Sequence, residues 1–137
     1  MKESDLKLRK SRFSLLRSVL IVIVLIIFVM IGAFIKAQSN LKKLASIEIS
    51  DVNLSEIEDG YYEGSYNVFP ISVDVSVFVK NHELKDIRII KHDNGQGSSA
   101  EKITELILKS QSLNVDIISG ATYSSKVIIK AVENALE

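Results

Sequence analysis

Ser18 to Ile35, "SVLIVIVLIIFVMIGAFI", runs for 18 residues without a charge. As a helix such a stretch rises about 27 Å, close to the hydrocarbon thickness of a bilayer. No strand or loop crosses lipid with its backbone groups unpaired, so a helix is the state this run dictates. Lys2, Lys7, Arg9, Lys10, Arg12 and Arg17 precede it, which orients the N-terminus inward and the remainder outward. The apolar run is long for a cleaved signal peptide, and no small-x-small site is well placed after Ile35. The expectation is an uncleaved signal-anchor: a cytoplasmic basic N-terminus at 1–17, a transmembrane helix at 18–36, and an extracytoplasmic remainder in the cell membrane.

Charge divides at the same place. Residues 1–36 hold seven Lys or Arg against two acids, a net of +5, and residues 37–137 hold ten against fifteen, a net of −5. An acidic outer part repels phosphate, so nucleic acid is not an expected partner, whereas the lipid bilayer is. The chain has no cysteine, which removes disulfides, thiolate chemistry, iron–sulfur ligation and a lipid-modified N-terminal cysteine. Two histidines and no ligand cluster at a useful spacing leave no expected metal site.

Residues 37–58 are polar and acidic with irregular apolar positions, and read as an extracytoplasmic spacer. The folded domain is expected at 59–137. "GYYEGSY" reads as a first strand. Ile71, Val73, Val75, Val77 and Val79 then alternate with polar or exposed positions, the period of a half-buried strand. "KNHE" is a turn, and "LKDIRIIKH" returns as a third strand to close a hairpin. Ser98 with Glu101 fits a capping box ahead of a helix carrying Ile103, Leu106 and Ile107 on one face. "VDII" reads as a short fourth strand. Val127, Ile128, Ala131, Val132, Ala135 and Leu136 recur at helical spacing, so a last amphipathic helix is expected to start near Ser124. The fold class is α+β, a small antiparallel sheet with two helices behind one transmembrane helix.

"SGATYSS" lies between that strand and that helix. Serine and threonine cap orphan backbone donors at a helix start, which is the commoner use of such residues. The same place suits an anion, because amides and the helix dipole converge there, with Gly120 allowing close approach, Ala121 keeping the turn narrow and Thr122 presenting a hydroxyl. The residues alone leave both readings open. "HDNGQG", with His92, Asn94, Gly95 and Gly97, is first a turn signal and secondarily a loop that points amides at a ligand. Tyr61, Tyr62, Tyr66 and Tyr123 offer rings for stacking, although strand aromatics usually fill cores. "NLS" at 53–55 matches a glycosylation sequon and is set aside as chance.

"DIISGATYSSKVIIKAVENAL", with "DGYYEGSY", "KHDNGQG" and "KSQSLNVD" upstream, resembles the FMN-binding domain of the flavin-carrying subunits of sodium-pumping and Rnf-type respiratory complexes. The resemblance covers about residues 59–137 and centres on the pattern Asp116-x-x-Ser119-Gly120-Ala121-Thr122. It implies FMN held by a phosphoester to Thr122, with Asp116, Ser119, Gly120, Ala121, Tyr123 and Ser124 around it and His92, Asn94, Gly95 and Gly97 contributing a loop. It also implies a separate exported flavin transferase that uses FAD and magnesium. A threonine hydroxyl is a weak nucleophile without an adjacent base, and neither His82 nor His92 belongs to the motif, which agrees with modification by a second enzyme. Asp116 is expected to bond the turn backbone or to be read by the transferase, or else to be an ordinary polar residue on an edge strand.

The resulting expectation is an extracytoplasmic electron carrier with no catalytic residues of its own, placed between a membrane electron donor and an extracytoplasmic acceptor or reductase. The rival classes are a reversible FMN- or ligand-binding module acting as sensor or scaffold, and a subunit of a membrane ion-pumping oxidoreductase. Against the last, the expectation is a minimal chain without the extra segments such subunits usually carry.

Overall fold

The computed structural model describes residues 2–93 and 98–137, with side chains from residue 15 onward. Helix α1 spans Lys2–Ala45, strands β1, β2 and β3 span Gly60–Val68, Ile71–Lys80 and Glu83–Asp93, and helices α2 and α3 span Ile103–Ser110 and Thr122–Leu136. Short 3-10 helices lie at Leu54–Glu56 and Ser98–Lys102. The chain divides into two units, Met1–Lys36 and Ala37–Glu137. In the first, the helix is apolar and every described side chain from Leu15 to Ile35 is exposed. A helical stretch long and apolar enough to cross a membrane begins at Leu15, with mean hydropathy 3.3.

In the second unit the three strands form one antiparallel sheet in the order β1-β2-β3. The alternation read from Ile71 to Val79 puts those five side chains on one buried face. Strands β1 and β2 are joined by Phe69-Pro70, with Val68 paired to Ile71. Strands β2 and β3 are joined by Asn81-His82, both left-handed at φ 55° and 59°, the geometry of a tight hairpin turn that matches strand twist. Strand β3 carries two irregularities, leaving Lys85 and Ile90 without direct partners on β2. Each reverses the alternation, so Leu84 and Ile87 are both buried three residues apart, and Ile90 turns outward while His92 faces inward opposite Val73.

Helix α3 lies on the buried face of the sheet. It contributes Val127, Ile128, Ile129, Ala131, Val132, Ala135 and Leu136 to a core shared with Ile103 and Ile107 of α2. It approaches β1 closely at Gly64: a Cβ there would stand 2.3 Å from the Ala131 carbonyl oxygen and 2.5 Å from the Ala135 nitrogen. The glycine in "GYYEGSY" is therefore the gap that admits the helix.

The stretch read as a spacer packs against this core. Leu44 is fully buried, and Leu41, Ile47, Ile49, Val52, Leu54 and Ile57 pack beside it. Polar contacts hold the same stretch down: the Ser50 amide donates to Glu133 Oε1 at 3.2 Å, and Lys126 Nζ donates to the Ala45 carbonyl. Irregular apolar spacing marks a strap that follows a curved surface and not a regular element, which is why no periodicity announced it.

Two expectations of local structure change. Residues 115–118 form no strand: the Val115 amide is taken by the Leu113 carbonyl at 2.9 Å and the Ile118 amide by Ser125 Oγ at 3.1 Å, so no ladder can form. The capping box is absent as well. Ser98 begins a 3-10 helix, and Glu101 Oε1 instead lies 2.9 Å from His92 Nδ1.

Candidate functional site

The Ser-Gly-Ala-Thr turn is built by a backbone bond from the Ala121 amide to the Ile118 carbonyl, 3.0 Å long. Gly120 sits at its third position with φ +79°, the conformation that defines a type II turn and favours glycine. A Cβ at Gly120 would meet nothing within 4 Å, so this side of the turn is open. Helix α3 then begins at Thr122, two residues earlier than its hydrophobic periodicity indicates. The cap residue is Ala121, which has no side-chain bond to offer.

In that arrangement no side-chain hydroxyl of the turn caps α3. The first intrahelical bond runs from the Ser125 amide to the Ala121 carbonyl, so the amides of Thr122, Tyr123 and Ser124 precede it. Among the described residues no serine or threonine side chain caps them. Ser125 Oγ accepts from the Ile118 amide and is fully buried, and Ser124 is 3% exposed. Ser119 and Tyr123 are exposed and Thr122 is half-buried. Among the described residues none bonds the Thr122 hydroxyl. The two serines after Thr122 are turned inward, and the helix start faces outward with its donors unspent.

The segment before the turn is fixed from both sides. Gln111 ends α2 in the left-handed region at φ 54°. Its side chain takes the Leu84 amide at 2.7 Å and donates to the Leu84 carbonyl at 2.9 Å, occupying the edge of β3. Asp51, from the strap, accepts from Ser112 Oγ at 2.6 Å and from the Leu113 amide at 2.9 Å. The Ser112 bond holds the Asp51 carboxyl below its usual range, burial pushes the other way, and the Leu113 and Val52 amides add to the lowering. Asp51 carries no motif signal, and Gln111 lies within "KSQSLNVD" without having been singled out as a site residue. Gln111 occupies a helix-ending position where glycine is the usual marker.

The remaining expected site residues are dispersed. Asp116 is exposed and, among the described residues, bonds no turn backbone. The side chain of His92 is 2% exposed beside Glu101. Asn94, Gly95 and Gly97 lie outside the described residues. Tyr61 stacks on Phe78 at 4.4 Å on the outer face of the sheet, the face opposite α3, and Tyr62 donates to the Glu58 carbonyl while packing on the core. Only Tyr123 shares the helix start with Thr122. Asp116 lines a depression of about 420 Å³ together with Leu106, Lys109 and Ser110 of α2 and with Asn114 and Val115.

A family model described as the FMN-binding domain matches residues 69–137. An uncharacterized protein of Treponema pallidum (strain Nichols) is 31% identical over 86 residues, covering 61% of this chain and 24% of that protein. NADH:acrylate oxidoreductase of Vibrio harveyi is 39% identical over 69 residues, covering 47% of this chain and 7% of that protein. The chain thus spans a small part of each relative. The site fits a flavin phosphate on its own geometry: uncapped first-turn amides, open space over Gly120 and a hydroxyl at the first helical residue. Matched sequence and matching geometry fall on the same turn and helix, and the chain belongs to the FMN-binding domain family.

Proposed function

We propose that this protein is a membrane-anchored, extracytoplasmic flavoprotein that carries FMN covalently on Thr122 and passes electrons between a membrane donor and an outer acceptor or reductase. The observation that carries the reading is the position of Thr122: first residue of α3, beyond a glycine turn, with its hydroxyl unbonded among the described residues. Ser124 and Ser125, the neighbouring hydroxyls, are buried and so poorly placed for modification.

Attachment joins Thr122 Oγ1 to the FMN-side phosphorus of FAD. The bond to the AMP half breaks, AMP leaves, and the hydroxyl proton passes to a base. His92 Nδ1 lies 2.9 Å from Glu101 Oε1 and His82 Nδ1 lies 3.2 Å from the Leu54 and Ile57 carbonyls, and among the described residues neither histidine bonds the Thr122 hydroxyl. This supports a base and a magnesium ion supplied by a separate transferase. The first-turn amides of α3 would hold the phosphate of an attached FMN, while Asp51 and Gln111 anchor residues 111–113, upstream of the turn. Bound FMN supplies transfer of one or two electrons.

The Vibrio harveyi relative is named for electron transfer from NADH to acrylate, which supports a redox role for the shared segment. The basic N-terminal stretch supports the outward placement of residues 37–137. Outside the cell free FMN is scarce and a reversible site empties by mass action, so a covalent link suits that location.

The test is flavin fluorescence of the full chain after denaturing electrophoresis, made with and without an active transferase. The wild type made with the enzyme retains fluorescence and Thr122→Val does not. Wild type that loses all flavin on denaturation despite an active transferase contradicts covalent attachment and leaves reversible binding.

A further inference from the structure

Ser125 stands where an apolar residue is expected. It continues the stripe of Ile128, Ile129 and Val132 on the core face of α3, and like them it is buried, with 0% exposure. Burying a hydroxyl costs free energy unless it is hydrogen-bonded, and alanine would fill the same place without that cost. The buried polar or charged residues among those described are Ser124, Ser125 and Glu133. Glu133 meets the Ser50 amide and the Lys130 ammonium. Ser125 meets the Ile118 amide, seven residues earlier, at 3.1 Å.

That bond closes a ring around the attachment residue. The Ile118 carbonyl accepts from the Ala121 amide at 3.0 Å, the Ala121 carbonyl accepts from the Ser125 amide at 2.9 Å, and Ser125 Oγ returns to the Ile118 amide. Thr122 lies within this ring, between Ala121 and Ser125. Two of the three bonds are backbone to backbone. The third depends on one side chain, so it is the bond that a single substitution removes. Gly120, at φ +79°, is free to take other conformations once the ring opens.

The attachment reaction needs one geometry. Thr122 Oγ1 bonds to the FMN-side phosphorus of FAD, the bond to AMP breaks opposite it, and the hydroxyl proton passes to a base of the transferase. A closed ring holds Thr122 in one arrangement. An open ring visits that arrangement for only a fraction of the time, and the apparent affinity for the protein falls by that fraction.

We infer that Ser125 is a positioning residue for FMN attachment: through the Ile118 amide it closes residues 118–125 into the shape in which the transferase takes Thr122. This rests on attachment at Thr122 by a separate enzyme.

The experiment measures initial rates of attachment against the concentration of full-length apoprotein in detergent micelles, with an active transferase and saturating FAD and magnesium. Amide hydrogen exchange is followed on the same samples without transferase. Ser125→Ala keeps the stripe filled and removes the bond. Its KM should rise roughly 3- to 10-fold, the range one hydrogen bond supplies, with kcat near wild type. The Ile118 and Ala121 amides should exchange faster by about the same factor, while the amides of β2 keep their wild-type rates. Ser125→Thr retains the oxygen and should bring both readings back toward wild type. Val132→Ala empties part of the core without touching the ring; it should lower Tm and leave KM unmoved, which separates positioning from loss of stability. Unchanged Ile118 exchange or unchanged KM in Ser125→Ala would overturn the inference while attachment at Thr122 stands. So would an equal rise of KM in Ser125→Thr or in Val132→Ala. Wild type that takes no FMN from an active transferase removes the attachment reading, and the inference with it.

Discussion

Gly64→Ala tests the packing that places the attachment helix. A methyl at Gly64 would lie 2.3 Å from the Ala131 carbonyl oxygen, 2.5 Å from the Ala135 nitrogen and 2.6 Å from Ala135 Cβ. Two of these atoms are helix backbone and the third is fixed to it, so no flexible side chain can move aside. Relief requires α3 to shift away from β1, opening the core at Val132 and Ala135. Overpacking of a tight core costs about 1–3 kcal/mol, and contacts this short belong at the upper end. Gly→Ala also restricts the unfolded chain, which returns about 0.4–1 kcal/mol. A net loss of about 2 kcal/mol lowers Tm by about 10–15 °C in a domain of this size. The assay is thermal unfolding of the full chain in detergent micelles, followed by the near-ultraviolet circular dichroism of the tyrosines. Gly60→Ala is the internal control, because a Cβ there meets only Tyr62 side-chain atoms at 3.7 Å or more, an ordinary contact. Equal melting of Gly64→Ala and wild type would refute the close approach of α3 and β1.

Asp51→Asn tests the strap. The folded-state carboxyl lies below its ordinary value of 3.8, so its contribution is present above that value and is lost as pH falls through the lower folded value. Wild type should melt above Asp51→Asn at pH 7, and the gap should close as the sample is acidified below about pH 4; a gap that does not depend on pH assigns the effect to shape and not charge. For topology, a protease added to intact cells should remove residues 37–137. Persistence of Glu137 under conditions that degrade a known external protein would place the domain on the inner side.

The strands were legible because their burial obeys a period of two and their turn uses residues that tolerate a left-handed backbone, Asn81 and His82. Helix α3 was legible from its apolar spacing, but not its first turn. There the apolar period had not begun, and the chain enters the helix on Thr122 without a side-chain cap. The strap at 41–57 was illegible because its apolar residues follow a surface with no repeat. "VDII" has the composition of a strand, yet its amides are taken by Leu113 and Ser125, a tertiary fact that propensity does not encode. Thr122, Gly120 and Ser119 emerged from motif and turn chemistry, whereas Gln111 and Asp51 act through paired bonds to residues 27 or more positions away, a pairing that local sequence does not display.

The central claim is the bond between FMN and Thr122, and the most direct measurement is intact mass followed by peptide mapping of the full chain made with an active transferase. The account predicts a gain of one FMN less one water, wholly on Thr122. The gain should be absent without the transferase and absent in Thr122→Val. An unmodified mass in protein that still releases FMN on denaturation, or an adduct mapped to Ser119, would contradict it.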